Sequence, residues 1–292
     1  MSGQTTIRIA RAITDIEPAA WDRLLDGGSP FMRWDWLDAL EQTGCVEEET
    51  GWVPHHLAVE RAGELVGACP MYLKLHSMGE FVFDYEWAEF AHRLGISYYP
   101  KLLVGVPFTP VTGARFLTAP AADRRSLLQS MGQALAQIAR DSKISSVHVN
   151  FCLEDEAEAL GAIGFARRIG LQFHWENRGY GSFDDYLGSF RSDRRNKIKR
   201  ERRALAERGI AIRVVEGKEA TQDQLRTMFA LYKGHVDNLY YGRQYLTQAF
   251  FDELARRFAA NVCMIFAERA GRVIAGTFNV RDGSALYGRY WG

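Results

Sequence analysis

The chain of 292 residues is 47% hydrophobic and 25% charged, the profile of a globular protein long enough for two domains. Its 36 Lys and Arg balance 36 Asp and Glu, so the overall charge argues for neither a nucleic-acid nor a membrane-surface partner. The four cysteines lie far apart, without metal-site or secretory disulfide spacing, and favour a reducing cytoplasm. There is no signal-peptide pattern, and no apolar run approaches the roughly 20 residues that span a bilayer.

The first half of the sequence reads as alternating strands and helices around one hairpin. Arg61-Ala62-Gly63 has the composition of a tight turn between two apolar runs. We predict, in chain order, a strand at 7–10, helices around Trp21 and over 31–40, hairpin strands at 56–60 and 64–74, a helix at 84–95, a strand at 101–106, an amphipathic helix after Asp123, a strand at 146–151, a short helix from Glu154 and a strand at 166–175.

A strongly basic segment follows this half. From Arg191 to Arg208 there are nine Lys and Arg residues against Asp193, Glu201 and Glu207. The pattern predicts a helix, and we interpret this helix as a linker between two parts of the chain.

After the linker the element order begins again. We predict a strand at 210–215, helices at 224–236 and 245–258, hairpin strands at 262–268 and 272–280, and a strand at 284–291. The two hairpins also match in letters, with LAVERAGELVGA at 57–68 against IFAERAGRVIAG at 265–276. We therefore predict two copies of one module, the first over 1–176 and the second, with the linker helix, over 177–292.

The element order, with its hairpin and a closing Leu160 to Phe165, resembles the GNAT acyltransferase fold. The tandem arrangement resembles the Fem-type peptidyltransferases, which join two such modules. The sequence is also similar to a FemAB-like family of N-acyltransferases linked to peptidoglycan, on the stretches FMRWDWLDALEQTGC, YYPKLLVGVPFTPVTG, QFHWENRGYGSFDDYL, RRNKIKRERR and LYGRYWG. The resemblance implies an α/β fold with a mixed (α+β) sheet and two tandem GNAT-like modules.

The resemblance also implies transfer of an acyl or aminoacyl group to an amine of a small molecule or a cell-wall precursor. Acyl-CoA or aminoacyl-tRNA is then the candidate donor, tRNA a candidate partner, and neither a resident cofactor nor a metal is predicted. GNAT enzymes that use CoA hold its pyrophosphate on backbone N–H groups of the loop after the fourth strand. In the first module Pro107 and Pro110 remove two donors from that loop. In the second it would lie beyond Gly292, so we expect a module truncated at its C-terminus, either as a fragment or with a partner strand supplied from elsewhere.

Two polar strand faces supply candidate catalytic residues. His174 shares one face with Gln172, and His148 shares another with Asn150, on strands that this fold places close together. If both faces line a cleft, the two imidazoles could move a proton from an attacking amine, with Gln172 and Asn150 binding substrate. The alternative is a set of hydrogen-bonded polar residues on a covered sheet face.

The last strand supplies a further candidate. Alternation places Tyr287, Arg289 and Trp291 on one face and Tyr290 on the other. In GNAT modules the corresponding strand stabilises the oxyanion and a tyrosine often protonates the leaving group, so the resemblance makes Tyr290 a catalytic candidate and Arg289 a substrate-binding one.

Two clusters complete the candidate substrate-binding residues. On the basic helix Arg195 and Lys199 share a stripe that would attract phosphates, unless the charges are simply solvated. In the first module an aromatic and polar group surrounds Lys101, and core packing explains its rings more easily than its charges. Its members are Asp84, Trp87, Tyr98, Tyr99 and Lys101.

Three functions are consistent with these patterns. The first is an acyl or aminoacyl transferase in which the amine attacks the carbonyl directly, since no cysteine stands in a context that suggests a covalent nucleophile. The second is a non-catalytic binder of an anionic wall precursor or RNA. The third is a CoA-dependent N-acetyltransferase with a degenerate pyrophosphate loop.

Overall fold

The computed structural model describes residues 5–25, 27, 29–240 and 242–292. The first half contains the strands β1 (Thr5–Ala10), β2 (Trp52–Pro54), β3 (His56–Arg61), β4 (Glu64–Cys69), β5 (Met71–Lys74), β6 (Lys101–Val104), β7 (Leu117–Thr118) and β8 (Val147–Val149). Its helices are α1 (Pro18–Asp22), α2 (Trp34–Gln42), α3 (Tyr85–Arg93), α4 (Arg124–Asp141) and α5 (Glu154–Gly161).

The remaining elements follow in the predicted order, apart from α6, which was not predicted. They are α6 (Phe183–Gly188), α7 (Ser192–Glu207), β9 (Ile210–Glu216), α8 (Gln222–Asp237), α9 (Gln248–Arg257), β10 (Val262–Arg269), β11 (Arg272–Asp282) and β12 (Ala285–Trp291). The last four strands form an antiparallel sheet in the order β12-β11-β10-β9. The helix α7 carries the basic segment and buries none of its side chains.

The strands of the first half form two four-stranded sheets, β1-β3-β4-β7 and β2-β5-β6-β8. Leu57 lies opposite Cys69 in the first sheet. Trp52 lies opposite Lys74 in the second sheet. This pair has the same register as Leu57 and Cys69, so β2 and β5 extend the pairing of β3 and β4 into the second sheet. Pro70 separates β4 from β5, because proline has no N–H group for the ladder.

The two predicted hairpins have the same turn. Ala62 and Gly63 have φ angles of 51° and 82°, and Ala270 and Gly271 have 49° and 74°. Positive φ at both central residues is the requirement of a type I′ turn, which matches the twist of the flanking strands. A β-bulge lies at the same distance before each turn. The similar sequences of the two hairpins therefore adopt the same backbone conformation.

The register extends the correspondence beyond the hairpins. When the halves are aligned on their hairpins, β5 and β6 correspond to β11 and β12. The pair Lys74 and Lys101 then occupies the place of Asp282 and Ala285. This agrees with a duplicated unit, while the boundary between residues 176 and 177 stays a prediction.

One hydrophobic core runs through both halves. Trp36 on α2 contacts Phe250 on α9 with ring centroids 5.3 Å apart. Arg257 on α9 donates to Asp38 on α2 at 2.6 Å. A second core packs α4 and α5 against the strands of the first half. No helix in the described ranges is both long and apolar enough to cross a bilayer.

The predicted strand at 166–175 is wrong. Residues 162–182 contain no helix or strand, and Ile169, Leu171 and Phe173 are 82%, 81% and 93% exposed. A strand needs a ladder of backbone hydrogen bonds, whereas the contacts of Gln172 in this segment are made by its side chain. Alternation of apolar residues was therefore not sufficient to predict a strand here.

Candidate active site

A cavity of about 390 Å³ lies beside β12 in the second half. This volume lies within the range of small-ligand sites in proteins. Helix α8 forms one wall, and β11 and β12 form the other. The lining residues are Tyr232, His235, Val236, Thr277, Asn279, Gly288, Arg289, Tyr290 and Trp291. Of these, the sequence had indicated only Arg289 and Tyr290 as site residues.

A β-bulge in β12 shapes this cavity. Tyr290 lies opposite Phe278, but the next residue on the partner strand, Asn279, lies opposite Gly288, so Arg289 is the extra residue. The bulge changes the alternation of side chains, and Tyr287 and Tyr290 therefore share the buried face. The prediction that they lie on opposite faces is wrong, because strict alternation holds only in a strand without a bulge.

Arg289 and Tyr290 both bind one backbone oxygen of the first half, the carbonyl of Phe108. The Tyr290 hydroxyl donates to it at 3.3 Å, and Arg289 donates to it through Nη2. The guanidinium also lies 5.2 Å from the ring centroid of Phe31, and its buried Nε has no hydrogen-bond partner. The first half thus contacts two of the residues that line the cavity without lining the cavity itself.

The phenols at this cavity are held in their protonated form. Burial raises the pKa of Tyr290 above its ordinary value, although the neighbouring Arg289 opposes the shift. Burial raises the pKa of Tyr232 as well, and its ring lies 5.0 Å from that of Tyr290. A phenol that keeps its proton at neutral pH can donate it to a leaving group.

His235 has a defined role at the opposite wall. The indole Nε1 of Trp291 is 2.8 Å from the Nε2 of His235. Because an indole N–H can only donate, this Nε2 is an acceptor and the imidazole is neutral with its proton on Nδ1. The lone pair of Nε2 is therefore occupied, and this atom is not available as a general base in this arrangement.

The structure brings together four of the five residues predicted around Lys101, including Tyr98, whose hydroxyl donates to Asp84 at 2.8 Å. The Nζ of Lys101 donates to Asp84 at 2.6 Å and to Ser77 at 2.9 Å, and all three side chains are buried. Tyr99 joins the group through Ser77, at 2.6 Å between the two hydroxyls. Burial raises the pKa of Asp84, but the hydrogen bonds from Lys101 and Ser77 outweigh it and the pKa is lowered.

Two further charged residues complete this cluster, and the sequence analysis missed both. Glu80 Oε2 lies 3.0 Å from Lys101 Nζ, and burial raises the pKa of Glu80. Lys74 is fully buried, with its Nζ 3.6 Å from the centroid of the Trp52 ring. Burial lowers the pKa of Lys74 to about 6, so its amine is largely neutral at pH 7. Lys74 could have been noticed in the sequence, because it is a lysine in an otherwise apolar strand.

Trp87 does not join the cluster. Its side chain is 63% exposed on α3, and its ring lies 5.6 Å from the guanidinium carbon of Arg168. Asp84, which precedes the first residue of the same helix, points the other way into the interior. Proximity in sequence therefore did not bring these two candidates to one place.

The two candidate histidines lie in different surroundings. His148 on β8 contacts Ser146 at 3.0 Å, and burial, with Lys101 nearby, lowers its pKa to about 4. His174 is exposed, and its Nε2 lies 3.3 Å from Gln172. Within the described ranges no hydrogen bond or ring contact joins the two imidazoles. Their shared acid–base role stays a prediction.

The companions of these histidines mainly hold the loop 107–113. Gln172 donates to the carbonyl of Pro110 at 2.7 Å and accepts from Thr112 at 2.7 Å. The carbonyl of Asn150 accepts from the buried Arg115 at 2.8 Å, while the side-chain Nδ2 of Asn150 is buried without a partner. These contacts leave Gln172 half-buried between the exposed Leu171 and Phe173.

The loop 107–113 is not built to cradle a pyrophosphate. Two of its seven residues are prolines, which have no N–H group. Of the other five N–H groups, those of Thr109, Val111 and Gly113 donate to backbone carbonyls. Gly113 donates to Phe151 at 3.0 Å, just beyond the last paired residues of β6 and β8. The loop thus fills the place where these parallel strands diverge.

The basic-helix candidates lie on the surface. Arg195 is half-buried on α7, and Lys199 lies 3.6 Å from Asp184 with half of its side chain exposed. Ile198 and Ala204 are the other half-buried residues of this helix. Most of its cations therefore face solvent, where they can meet an anion or remain hydrated.

Comparison with known proteins places this geometry in a family context. A family profile described as FemAB-like, peptidoglycan biosynthesis/recognition, matches residues 12–292. The crystal structure of FemX is similar over 99% of this chain and 80% of its own, with a TM-score of 0.51 and 13% identity. At this identity the likeness to FemX concerns the fold alone. No curated protein sequence matches the chain.

Two further solved structures match more distantly. A tandem GNAT protein from the clavulanic acid biosynthesis pathway matches 97% of this chain and 76% of its own, with a TM-score of 0.40 and 12% identity. An aminoglycoside N-acetyltransferase, AAC(6')-Iy, solved with CoA, matches 60% of this chain and 97% of its own, with a TM-score of 0.38 and 13% identity.

Proposed function

The chain belongs to the FemAB-like family, and on that premise we propose that it is an N-acyltransferase. It transfers an acyl or aminoacyl group to an amine of a small molecule or a cell-wall precursor. The family description, which names peptidoglycan biosynthesis and recognition, and the fold shared with FemX support this proposal. The observation that carries it is a protonated phenol, Tyr290, on the bulged strand that lines the cavity of about 390 Å³.

The chemistry requires two contributions from the protein, a site for the oxyanion and a proton donor for the leaving group. The acceptor amine attacks the carbonyl carbon of the donor, a C–N bond forms, and the bond from that carbon to the leaving oxygen or sulfur breaks. The bulge at Arg289 frees backbone groups from the ladder, which can then stabilise the developing oxyanion. The Tyr290 hydroxyl turns away from the Phe108 carbonyl and protonates the leaving group, and the proton lost by the amine restores the phenol through solvent.

A covalent cysteine intermediate is disfavoured. Burial raises the pKa of all four thiols, which keeps them protonated, whereas the thiolate is the nucleophile. Cys152 is half-buried and the other three are buried. Direct attack by the amine therefore remains the simplest route.

The donor does not bind in the loop 107–113 in this proposal. Its N–H groups are largely used within the protein, so a CoA pyrophosphate finds few donors there. At the start of α4 the side chain of Asp123 accepts from the N–H of Ser126, so a carboxylate already occupies that helix terminus. We propose that the donor, acyl-CoA or aminoacyl-tRNA, binds at the second half, with its phosphates near Arg195 and Lys199.

A transfer assay tests the proposal. Purified protein is incubated with a nucleotide-linked muropeptide and either acetyl-CoA or alanyl-tRNA, and the product is followed by mass spectrometry. Tyr290→Phe removes only the hydroxyl and should lower the rate by about 100-fold, the usual contribution of a general acid. Tyr85→Phe, at an exposed phenol on α3, is the matched control and should leave the rate unchanged.

The same assay separates the alternatives. Transfer from acetyl-CoA alone would identify a CoA-dependent N-acetyltransferase. Binding of the muropeptide or of RNA by isothermal titration, without transfer from either donor, would identify a non-catalytic binder and contradict the proposal.

A further inference from the structure

The backbone of Phe108 adopts a conformation that is rare for a large side chain. Its φ angle is 56°, in the left-handed region, where a residue with a Cβ is strained. The strain is held by packing on the Phe108 ring, which is 2% exposed. The ring stacks on Tyr245 with centroids 5.0 Å apart and an interplanar angle of 17°, and it meets Trp52 at 5.3 Å. Two rings from different halves of the chain therefore fix this residue.

The consequence of that backbone is the direction of one carbonyl. The Phe108 oxygen accepts from the Tyr290 hydroxyl at 3.3 Å and from Arg289 Nη2, which also lies 3.4 Å from the hydroxyl of Thr109. Among the described contacts this is the acceptor of the Tyr290 phenol. This hydrogen bond holds the phenol oxygen in place and keeps it protonated until the hydroxyl turns to a leaving group.

We propose that Phe108 is a positioning residue for the reaction in the second half. Its strained backbone aims the carbonyl that holds the Tyr290 oxygen and the Arg289 guanidinium in place beside the cavity. Phe108 itself does not line the cavity, so it acts through these two side chains. The kinetic consequence rests on the proposed transferase function, whereas the orientation of Tyr290 does not.

The proposal has a spectroscopic consequence. A carbonyl that accepts from the phenol stabilises its protonated form, so losing this acceptor lowers the pKa of Tyr290. The other groups around the hydroxyl are Arg289, which lowers this pKa, and Cys45, which raises it. Arg289 also donates to the Phe108 carbonyl, so a change at Phe108 reaches it too, but moving this cation away raises the pKa of Tyr290. A fall in the pKa of Tyr290 therefore reports on the loss of the carbonyl.

The experiment labels the full chain with tyrosine carrying ¹³C at Cζ. The Tyr290 signal is identified by its disappearance in Tyr290→Phe and is followed through an alkaline titration by NMR. In Phe108→Ala the pKa of Tyr290 should fall by about 0.5 to 1 unit. In the transfer assay kcat should fall about tenfold with KM unchanged, because the proton donor is misdirected while the cavity is intact.

A matched control separates positioning from general stability. Phe151 has the same φ angle of 56° but does not line the cavity. Phe151→Ala should lower the melting temperature in the same way and leave the Tyr290 titration as in the wild type. If Phe108→Ala does not fold, Phe108→Leu gives the same two readings.

An unchanged Tyr290 titration in the Phe108 variant would overturn the proposal, whatever the change in stability. Absence of transfer from every donor would overturn the proposed function instead. The titration would still decide whether Phe108 orients the phenol.

Discussion

Lys74 and Lys101 lie directly opposite each other on β5 and β6, and neither side chain has any exposed surface. Like charges at facing positions of an antiparallel pair are destabilising. The protein resolves the conflict by leaving Lys74 largely neutral over the Trp52 ring and by surrounding Lys101 with Asp84 and Glu80. The burial of two facing lysines thus depends on the amine of Lys74 being deprotonated.

The first prediction concerns pH and Lys74. The pKa of Lys74 is about 6 in the folded protein against an ordinary 10.5, so between these values the unfolded chain binds the extra proton. The free energy of unfolding should therefore rise with pH across this window, by up to about 1.4 kcal/mol per unit from this group. Lys74→Met should remove that part of the slope in urea denaturation between pH 6.5 and 9.

The control for this measurement is Lys218→Met, at an exposed lysine after β9. It should leave the slope as in the wild type. Equal slopes for Lys74→Met and the wild type would show that Lys74 keeps its proton in the folded protein.

A second prediction concerns the ion pair of Lys101 and Asp84. Asp84→Asn removes a carboxylate 2.6 Å from a buried ammonium and should cost about 3–5 kcal/mol in the free energy of unfolding. The double variant with Lys101→Met should cost clearly less than the sum of the single changes. A double-mutant cycle at the exposed pair Lys233 and Asp237 serves as control, where about 0.3–0.5 kcal/mol is expected. Similar coupling energies at both pairs would contradict the assignment.

A third prediction compares two glycines with nearly the same backbone. Gly79 and Gly63 have φ angles of 79° and 82°, so alanine costs about 1–2 kcal/mol of strain at either position. A Cβ at Gly79 would lie 2.7 Å from the Phe108 ring, whereas at Gly63 it would meet no atom within 4 Å. Gly79→Ala should therefore cost about 1–3 kcal/mol more in thermal or urea unfolding. Equal losses would mean that the Phe108 ring can move freely.

The fourth prediction concerns the basic helix. Reversing Arg195 and Lys199 to glutamate should weaken binding of the donor, and more strongly at 50 mM than at 200 mM salt, because screening is least at low salt. Isothermal titration with acetyl-CoA and with alanyl-tRNA measures this. Arg194 and Lys197 lie on the other side of the same helix, and reversing them changes the net charge equally, so this variant is the matched control. If the wild type and both variants bind the donor with equal affinity, the cations of α7 are simply hydrated and do not bind the donor.

The sequence analysis was correct for features that depend on a few neighbouring residues. Both hairpins follow from an Ala-Gly turn between apolar runs, and the observed turns have positive φ at both central residues. The family resemblance is confirmed over residues 12–292, and the fold over nearly the whole chain. The strand at 166–175 failed because alternation describes a side-chain pattern and says nothing about whether a partner strand is present.

The candidate site was predicted in part. Asp84, Tyr99 and Lys101 were named together and do meet, yet the residues that complete their cluster, Lys74 and Glu80, were not. Arg289 and Tyr290 were named on the correct strand but with the wrong faces, since one extra residue in β12 shifts the alternation. No local pattern announces such a bulge in advance.

By itself the sequence determined most of the strands and helices, the repeated hairpin and the family, because turn chemistry and periodicity act over a few neighbouring residues. It did not predict β2, β7 or α6, and it placed a strand wrongly at 166–175. Only the tertiary structure decided which polar groups meet. Lys74 faces Lys101 across 27 positions of sequence through the register of two strands. Tyr290 finds its acceptor on Phe108, in the other half of the chain, through the packing of a shared core. Such contacts follow from long-range pairing and burial, which are properties of the whole fold.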